Sequence, residues 1–132
     1  MKTDSSTSRS VPPNLRELRV YQEAHACAAA VAAAVASFPR EERFALADQM
    51  RRAASSVYAN IAEGHARRSA REQLRFYEIA RSSLIELRAH ADQAAHRMLI
   101  DAVVDDDLQR RALHVTRLLA GLMRAADAKA DV

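Results

Sequence analysis

Apolar residues recur at every third or fourth position in four long stretches of the chain, as they do along one face of an α-helix. The first stretch predicts a helix from about Asn14 that Pro39 ends, with His25 among its packed positions. A second helix is predicted to start after Pro39. It is expected to end where Gly64 adopts the left-handed conformation that often terminates helices.

The third and fourth stretches begin with recognisable helix-start signals. Ser69 and Glu72 have the spacing of a capping box, which predicts a third helix that runs to about Leu99 with Met98 on its buried face. The acidic run Asp105 to Asp107 is expected to cap a fourth helix, which continues to about Ala126. Because the links are short, consecutive helices are predicted to run antiparallel.

The pattern as a whole predicts an all-α fold, an up-and-down four-helix bundle formed by one domain over residues 14–127. Only 2 glycines and 3 prolines are present, which is little turn chemistry for a many-stranded sheet. Residues 1–13 are rich in Ser and Thr and are predicted to be a disordered tail, and residues 128–132 are expected to fray.

The third helix carries more apolar surface than one bundle core can cover. Its apolar side chains span about 240° of the circumference, counted at 100° per residue. We expect the residues that flank its central stripe to form a homo-oligomer interface: Leu74, Phe76, Ile79 and Ile85. Coverage of most of them by two neighbouring helices of the same bundle is the alternative.

Nearly all of the basic residues are arginines. Arginine accounts for 18 of the 20, and only Lys2 and Lys129 are lysines. Arginine binds phosphate groups through two parallel hydrogen bonds, so this composition permits a nucleic-acid partner. A genome whose base composition favours Arg and Ala codons would produce the same bias.

Four polar or small residues of the second helix are assigned to structure, as a corner or a subunit contact: Gln49, Asn60, Glu63 and Gly64. A carboxylate such as Glu63 near a helix C-terminus opposes the helix dipole by roughly 0.3–1 kcal/mol and calls for a nearby cation. Arg67, Arg68, or Arg51 across a subunit boundary could supply it. Asn60 is expected to bond a backbone group of an adjacent helix.

Arginines are dense around the link between the second and third helices. We predict that they contact a phosphate backbone, with two further arginines of the second helix: Arg67, Arg68, Arg71 and Arg75, together with Arg51 and Arg52. The alternative is a solvated face in which the arginines pair with Glu72 and Glu78 one turn away.

Catalytic and metal-binding signals are weak. Glu86 and His90 share a helix face, but their Glu-x-x-x-His spacing occurs once and differs from the Glu-x-x-His repeat of di-iron bundles. Gly-rich phosphate loops and nucleophile motifs do not occur in the sequence. We therefore predict no enzyme activity, no metal site and no cofactor.

Cys27 is the one cysteine, so no disulfide can form within the chain, and its Ala-rich surroundings predict a buried thiol. The apolar segment that contains it is too short to span a bilayer, and the N-terminal residues lack the apolar core of a signal peptide. The expected compartment is the reducing cytoplasm.

Several segments together resemble a known family. The most specific are the corner Phe38-Pro39 with Glu42-Arg43, and the helical segments "QMRRA" and "NIAEG" that begin at Gln49 and Asn60. They are similar to the bacterial four-helix bundle proteins encoded in intervening sequences of 23S ribosomal RNA genes, over roughly Leu15 to Leu119. Tyr58 stands where that family usually has proline, which should restore a backbone donor and straighten the second helix.

The resemblance implies a four-helix bundle that assembles as a ring of five. It also implies a distant likeness to the basic pentameric accessory proteins of diversity-generating retroelements, which are thought to bind a reverse transcriptase and nucleic acid. We therefore expect a homo-oligomeric adaptor that binds structured RNA or DNA through its arginines and makes no membrane contact. The alternative is a protein-interaction module that docks a partner such as a reverse transcriptase without touching nucleic acid.

Overall fold

The computed structural model describes residues 14–130, and over that range it is entirely helical, without a strand. Four α-helices carry the fold, which confirms the predicted class: α1 (Arg19–Val35), α2 (Leu46–Ala66), α3 (Ala70–His96) and α4 (Ala102–Ala130). Two short 3-10 turns, Leu15–Glu17 and Arg40–Glu42, precede α1 and α2. The predicted tail, residues 1–13, lies outside the described residues.

Each helix packs against the next, and α1 also packs against α4, which closes the bundle. The core is the shared centre of the four helices, and the buried residues of α2, α3 and α4 recur at the predicted spacing of three and four. Its largest fully buried side chains include Tyr77 from α3, Met50 and Ile61 from α2, and Leu108 and Leu119 from α4. The α2–α3 contact is the most extensive in the bundle, and it positions the site described below.

The first helix starts later than predicted. Leu15 is fully buried at the base of a 3-10 turn, and Leu18 then adopts an extended conformation before α1 begins at Arg19. This break changes the register of the helix, so the buried line runs through Val20, Ala24 and Cys27. The predicted packing of His25 in the core is therefore wrong.

His25 lies exposed on the bundle surface and stacks on Tyr58, with ring centroids 4.0 Å apart. Tyr21 contacts both rings edge-on. Helix α2 is continuous through Tyr58, as expected for a position that carries tyrosine in place of proline. Cys27 is buried as predicted, and burial raises the pKa of its thiol to about 11.

The second helix does not start after Pro39. Pro39 is extended, Arg40–Glu42 form a 3-10 turn, and the backbone of Ala45 leaves the helical region before α2 begins at Leu46. Glu42 holds this link in place. Its carboxylate accepts two hydrogen bonds from Arg97 at the end of α3, at 3.0 and 2.6 Å.

The ends of α3 and α4 also differ from the predictions. α3 ends at His96, and Met98 takes a left-handed conformation with φ 60° in a turn where Leu99 N–H donates to the Ala94 carbonyl. Because the chain has turned, Met98 is 89% exposed rather than buried. α4 is capped by Asp101, whose carboxylate accepts the Val104 N–H, and not by Asp105 to Asp107.

Asp106 and Asp107 lie inside α4, where they pair with Arg110 and Arg111 one turn on. The helix continues to Ala130, past the predicted end near Ala126, and residues 131–132 lie outside the described range.

Replacing Glu42 with glutamine should lower the free energy of unfolding at neutral pH. The hydrogen bonds from Arg97 hold the pKa of the Glu42 carboxyl below its ordinary value of 4.5. A carboxyl whose pKa is lowered by folding stabilises the protein above its unfolded pKa, and this contribution is lost as the pH falls through the folded pKa. Urea unfolding at neutral pH and below pH about 3 measures the effect.

The control for this experiment is Glu41→Gln, at a neighbouring exposed carboxylate that forms no ion pair within residues 14–130. Glu42→Gln should unfold at a lower urea concentration than both the unchanged protein and the control at neutral pH, and at the same concentration in acid. A difference that persists undiminished in acid would contradict the ion pair.

Candidate nucleic-acid interface

Gly64 allows α2 and α3 to approach closely just before the link between them. It lies inside α2 with a negative φ, so the predicted left-handed end of the helix is wrong. A Cβ atom at this position would lie 2.5 Å from Cε1 and 2.8 Å from Cδ1 of Tyr77, far inside van der Waals contact. The glycine is therefore required by the neighbouring ring, and α2 ends two residues later without a left-handed residue.

A small polar cluster joins the same two helices one to two turns earlier. The Ser83 hydroxyl of α3 donates to the Ser56 hydroxyl of α2 at 2.8 Å. Asn60 donates to the Ser56 carbonyl and hydroxyl within its own helix, so its predicted bond to an adjacent helix is wrong. Gln49 is exposed and lies about 21 Å along α2 from Glu63, so it does not belong to this corner.

The link between α2 and α3 is short and rigidly held. Ser69 caps α3 by accepting the Glu72 N–H at 3.1 Å, which confirms the predicted cap. The Gln73 side chain donates to the Arg67 carbonyl at 3.2 Å. These bonds fix the backbone that carries Arg67 and Arg68.

Arg67 supplies the cation that Glu63 was expected to need. Its guanidinium lies 2.6 Å from the Glu63 carboxylate and also 4.7 Å above the centre of the Phe76 ring. The ion pair is exposed, so its contribution to stability is at most about 1 kcal/mol. Its main consequence is that Arg67 has a defined position and is already partly neutralised.

Three further arginines around the link form what we call the arginine face: Arg68, Arg71 and Arg75. All three are exposed, and within residues 14–130 no carboxylate lies at ion-pair distance from any of them. Glu78, one of the expected partners, pairs with Arg81 instead at 2.7 Å. Arg71 and Arg75 are one helical turn apart and lie on the outer side of α3.

The structure does not bring Arg51 and Arg52 to this face. They lie on α2 about 22–24 Å from Arg67 along the helix axis, at the opposite end of the bundle. Arg52 pairs with Asp48 at 3.0 Å, and Arg51 donates to the Arg43 carbonyl at 3.3 Å. The predicted single patch is therefore two separate groups of arginines.

The four residues predicted to form an oligomer interface divide into two pairs. Leu74 and Phe76 are half-buried, and Leu74 packs against the core of its own bundle. Ile79 and Ile85 are 43% and 63% exposed on α3, on either side of its outer face. Ile79 follows Arg75 by one turn, so the apolar and basic surfaces of α3 adjoin.

Other chemistry at the surface is limited. Glu86 and His90 lie 3.4 Å apart, and across residues 14–130 no three His, Cys, Asp or Glu side chains are placed to hold a metal ion. None of the described helices is both long and apolar enough to cross a membrane.

The fold and this surface define a class: a four-helix bundle with exposed arginines at its α2–α3 link, three of which have no ion-pair partner within residues 14–130. Residues 16–121 match the family of 23S rRNA-intervening sequence proteins, and the chain belongs to that family. The comparison with curated proteins finds no match.

A similar solved structure is a protein of unknown function from the S23 ribosomal protein family of Bacteroides thetaiotaomicron. It is 16% identical, with a TM-score of 0.71, and the match covers 79% of this chain and 97% of that one. At this identity the likeness shows the shared fold, and it agrees with the resemblance drawn from the sequence.

Proposed function

We propose that this chain is a non-enzymatic, homo-oligomeric adaptor of the cytoplasm that binds structured RNA or DNA electrostatically through the arginine face. The observation that carries the proposal is the lack of ion-pair partners for Arg68, Arg71 and Arg75 within residues 14–130. Arg67 lies beside them as a fourth, partly neutralised cation.

Some arginines elsewhere in residues 14–130 are neutralised by carboxylates. Arginines on three of the helices and at the end of α3 carry carboxylate partners at 2.6–3.1 Å: Arg52, Arg81, Arg97, Arg110 and Arg111. These five and Arg67 are six of the 17 arginines in residues 14–130, and the others have no ion-pair partner within that range. Arg68, Arg71 and Arg75 stand out because three exposed, unpaired arginines lie within eight residues at the start of α3, where they can bind an external anion. Guanidinium groups at helical spacing suit the phosphates of a nucleic-acid backbone.

Assembly would strengthen these contacts. Three exposed arginines give weak binding on their own, whereas a symmetric ring repeats them and can raise the overall affinity by about 10²–10⁴. The exposed Ile79 and Ile85 support such an assembly, because contact between subunits in a ring would bury their apolar side chains away from water. We propose a pentamer, in line with the resemblance noted from the sequence.

Light scattering of the purified protein should therefore give a mass near five times the 14.6 kDa chain. Ile85→Glu should reduce that mass, because a buried charge at the interface leaves the carboxylate without a partner. Val103→Glu is the control, at an apolar residue that is 77% exposed and lies outside the proposed interface. A mass of one chain for the unchanged protein would contradict the assembly.

The alternative function is docking of a partner protein, such as a reverse transcriptase, without direct contact to nucleic acid. Two exposed apolar side chains favour it, Phe44 at 87% and Met98 at 89%, which lie at the end of the bundle opposite the arginine face. Nuclease treatment of a pull-down separates the two functions, because it removes partners bound through nucleic acid and leaves those bound directly.

Binding of labelled nucleic acid to nuclease-treated protein tests the proposal. An RNA hairpin and a DNA duplex of matched length should both bind at low salt, with dissociation constants within about tenfold, since phosphate contacts carry no base information. Absence of binding to both would overturn the proposal in favour of the protein-docking function.

A further inference from the structure

A second group of arginines surrounds a cavity at the other end of the bundle. The cavity has a volume of about 240 Å³ and lies between the end of α1, the α1–α2 link and the start of α2. Arg40, Arg43 and Arg51 line it, and Val35 and Ala47 provide apolar wall. This cavity is separate from the arginine face, about 24 Å away along α2 from Arg51 to Arg67.

Positive charge in the cavity is not balanced by its own lining. None of the residues that line it is acidic, and within residues 14–130 neither Arg40 nor Arg43 forms an ion pair. Glu42 lies between them in the sequence, but its carboxylate is paired with Arg97. Because the Glu42 carboxylate does not line the cavity, the guanidinium groups of Arg40, Arg43 and Arg51 have no counter-charge among the lining residues.

Two features give the cavity a defined shape. Arg51 donates to the Arg43 carbonyl at 3.3 Å, which ties the start of α2 to the link. The Glu42–Arg97 pair holds the same link from its other side. Phe38, half-buried and packed against the core, forms part of the cavity wall. These contacts therefore hold the backbone of the cavity-lining arginines in place.

A recessed cavity with several arginines suits a ligand different from a duplex backbone. Phosphodiesters of a duplex carry one charge each and lie along a convex surface, whereas a terminal phosphate or diphosphate carries more charge on a projecting group. Arginine binds such groups with two hydrogen bonds per guanidinium. The aromatic and apolar wall beside the arginines provides a surface for the organic part of the ligand.

We propose that the cavity lined by Arg40, Arg43 and Arg51 binds a terminal phosphate or diphosphate group. Two sources carry this chemistry, a free nucleoside diphosphate and the 5′-phosphorylated end of an RNA. The proposal does not depend on the arginine face, and each can fail without the other.

Calorimetric titration with inorganic pyrophosphate tests the site, at constant ionic strength. The unchanged protein should bind it saturably, and the double variant Arg40→Gln/Arg43→Gln should bind at least about tenfold more weakly, since it lacks the charged hydrogen bonds of two guanidinium groups. Arg52→Gln is the control, because Arg52 is on the same helix but outside the cavity and paired with Asp48. Equal binding by all three proteins, or no saturable binding, would overturn the site.

Two further titrations distinguish an RNA end from a free nucleotide as the source of the phosphate group. An RNA hairpin with a 5′-phosphate that binds more tightly than its 5′-hydroxyl form, with the gain lost in the double variant, assigns the site to RNA ends. A nucleoside diphosphate that binds without such a gain assigns it to free nucleotides. A variant that reverses the arginine face should keep the pyrophosphate affinity, which distinguishes failure of this site from failure of the proposed function.

Discussion

Replacing Gly64 with alanine should lower the free energy of unfolding by about 1–3 kcal/mol, although alanine is the better helix former. The new methyl group would overlap the Tyr77 ring at 2.5 and 2.8 Å and approach the Gln73 carbonyl at 3.2 Å. Tyr77 is 2% exposed and cannot swing into solvent, and the carbonyl belongs to the backbone of α3. The two helices must therefore separate at their most extensive contact.

Gly121→Ala is the matched control for this substitution. Gly121 lies in α4, and a Cβ atom there would meet only the end of the Arg124 side chain at 3.7 Å, an ordinary contact. Alanine should stabilise this helix by about 0.5–1 kcal/mol, as in other helix interiors. Urea unfolding at fixed protein concentration measures both. A Gly64→Ala protein at least as stable as Gly121→Ala would show that α2 and α3 do not approach this closely.

Reversal of the arginine face should weaken nucleic-acid binding on the order of 10³-fold. The triple variant replaces Arg68, Arg71 and Arg75 with glutamate, which removes three charged contacts worth about 1.5 kcal/mol or more each and adds repulsion. Arg67 is left unchanged, because its ion pair with Glu63 and its position over Phe76 contribute to the corner. Fluorescence anisotropy of a labelled RNA hairpin measures the loss.

A control with the same change in net charge is available on α4. Arg110, Arg111 and Arg117 are exposed and lie away from the α2–α3 link, so their reversal makes the same change in net charge at another place. It also breaks the pairs of Arg110 with Asp106 and of Arg111 with Asp107, which affects the stability of α4 and not the arginine face. The control should bind within about tenfold of the unchanged protein. Equal losses in both variants would show that binding follows net charge and not the arginine face. Circular dichroism confirms that each variant is folded.

Much of the fold follows from the sequence because it depends on local periodicity. The buried stripes of α2, α3 and α4 are set by spacing within each helix, and spacing alone predicted them. Ser69 caps α3 as expected because a capping box is a contact between residues three apart. The order of the helices around the core then follows from short links.

The errors occur where a distant contact decides the local structure. Burial of Leu15 places a break between the 3-10 turn and α1 at Leu18. This break shifts the register of α1, so that His25 is exposed. The sequence predicts that Gly64 ends α2, whereas the ring of Tyr77, thirteen positions on, is what requires a glycine there. Glu42 and Arg97 are 55 residues apart, and no pattern in the sequence connects them.

In the candidate site, too, the features set by local spacing could be predicted and those set by distant contacts could not. Arg68, Arg71 and Arg75 adjoin because they are close in sequence, and their spacing predicted a common face. Residue type alone groups Arg51 and Arg52 with that face, whereas their position in the first two turns of α2 places them at the other end of the bundle. The lack of ion-pair partners around the face, on which the proposal rests, could be read only from the arrangement of the described carboxylates.

The salt dependence of nucleic-acid affinity tests the electrostatic mechanism most directly. Anisotropy titrations of a DNA duplex across a salt series should give a linear fall of log affinity with log salt, at a slope of about −0.9 for each phosphate neutralised. The unchanged protein should give a steep slope, and the slope of the arginine-face variant should be shallower by about 0.9 for each of the three lost contacts. An affinity that does not change with salt, or an unchanged slope in the variant, would contradict binding through this face.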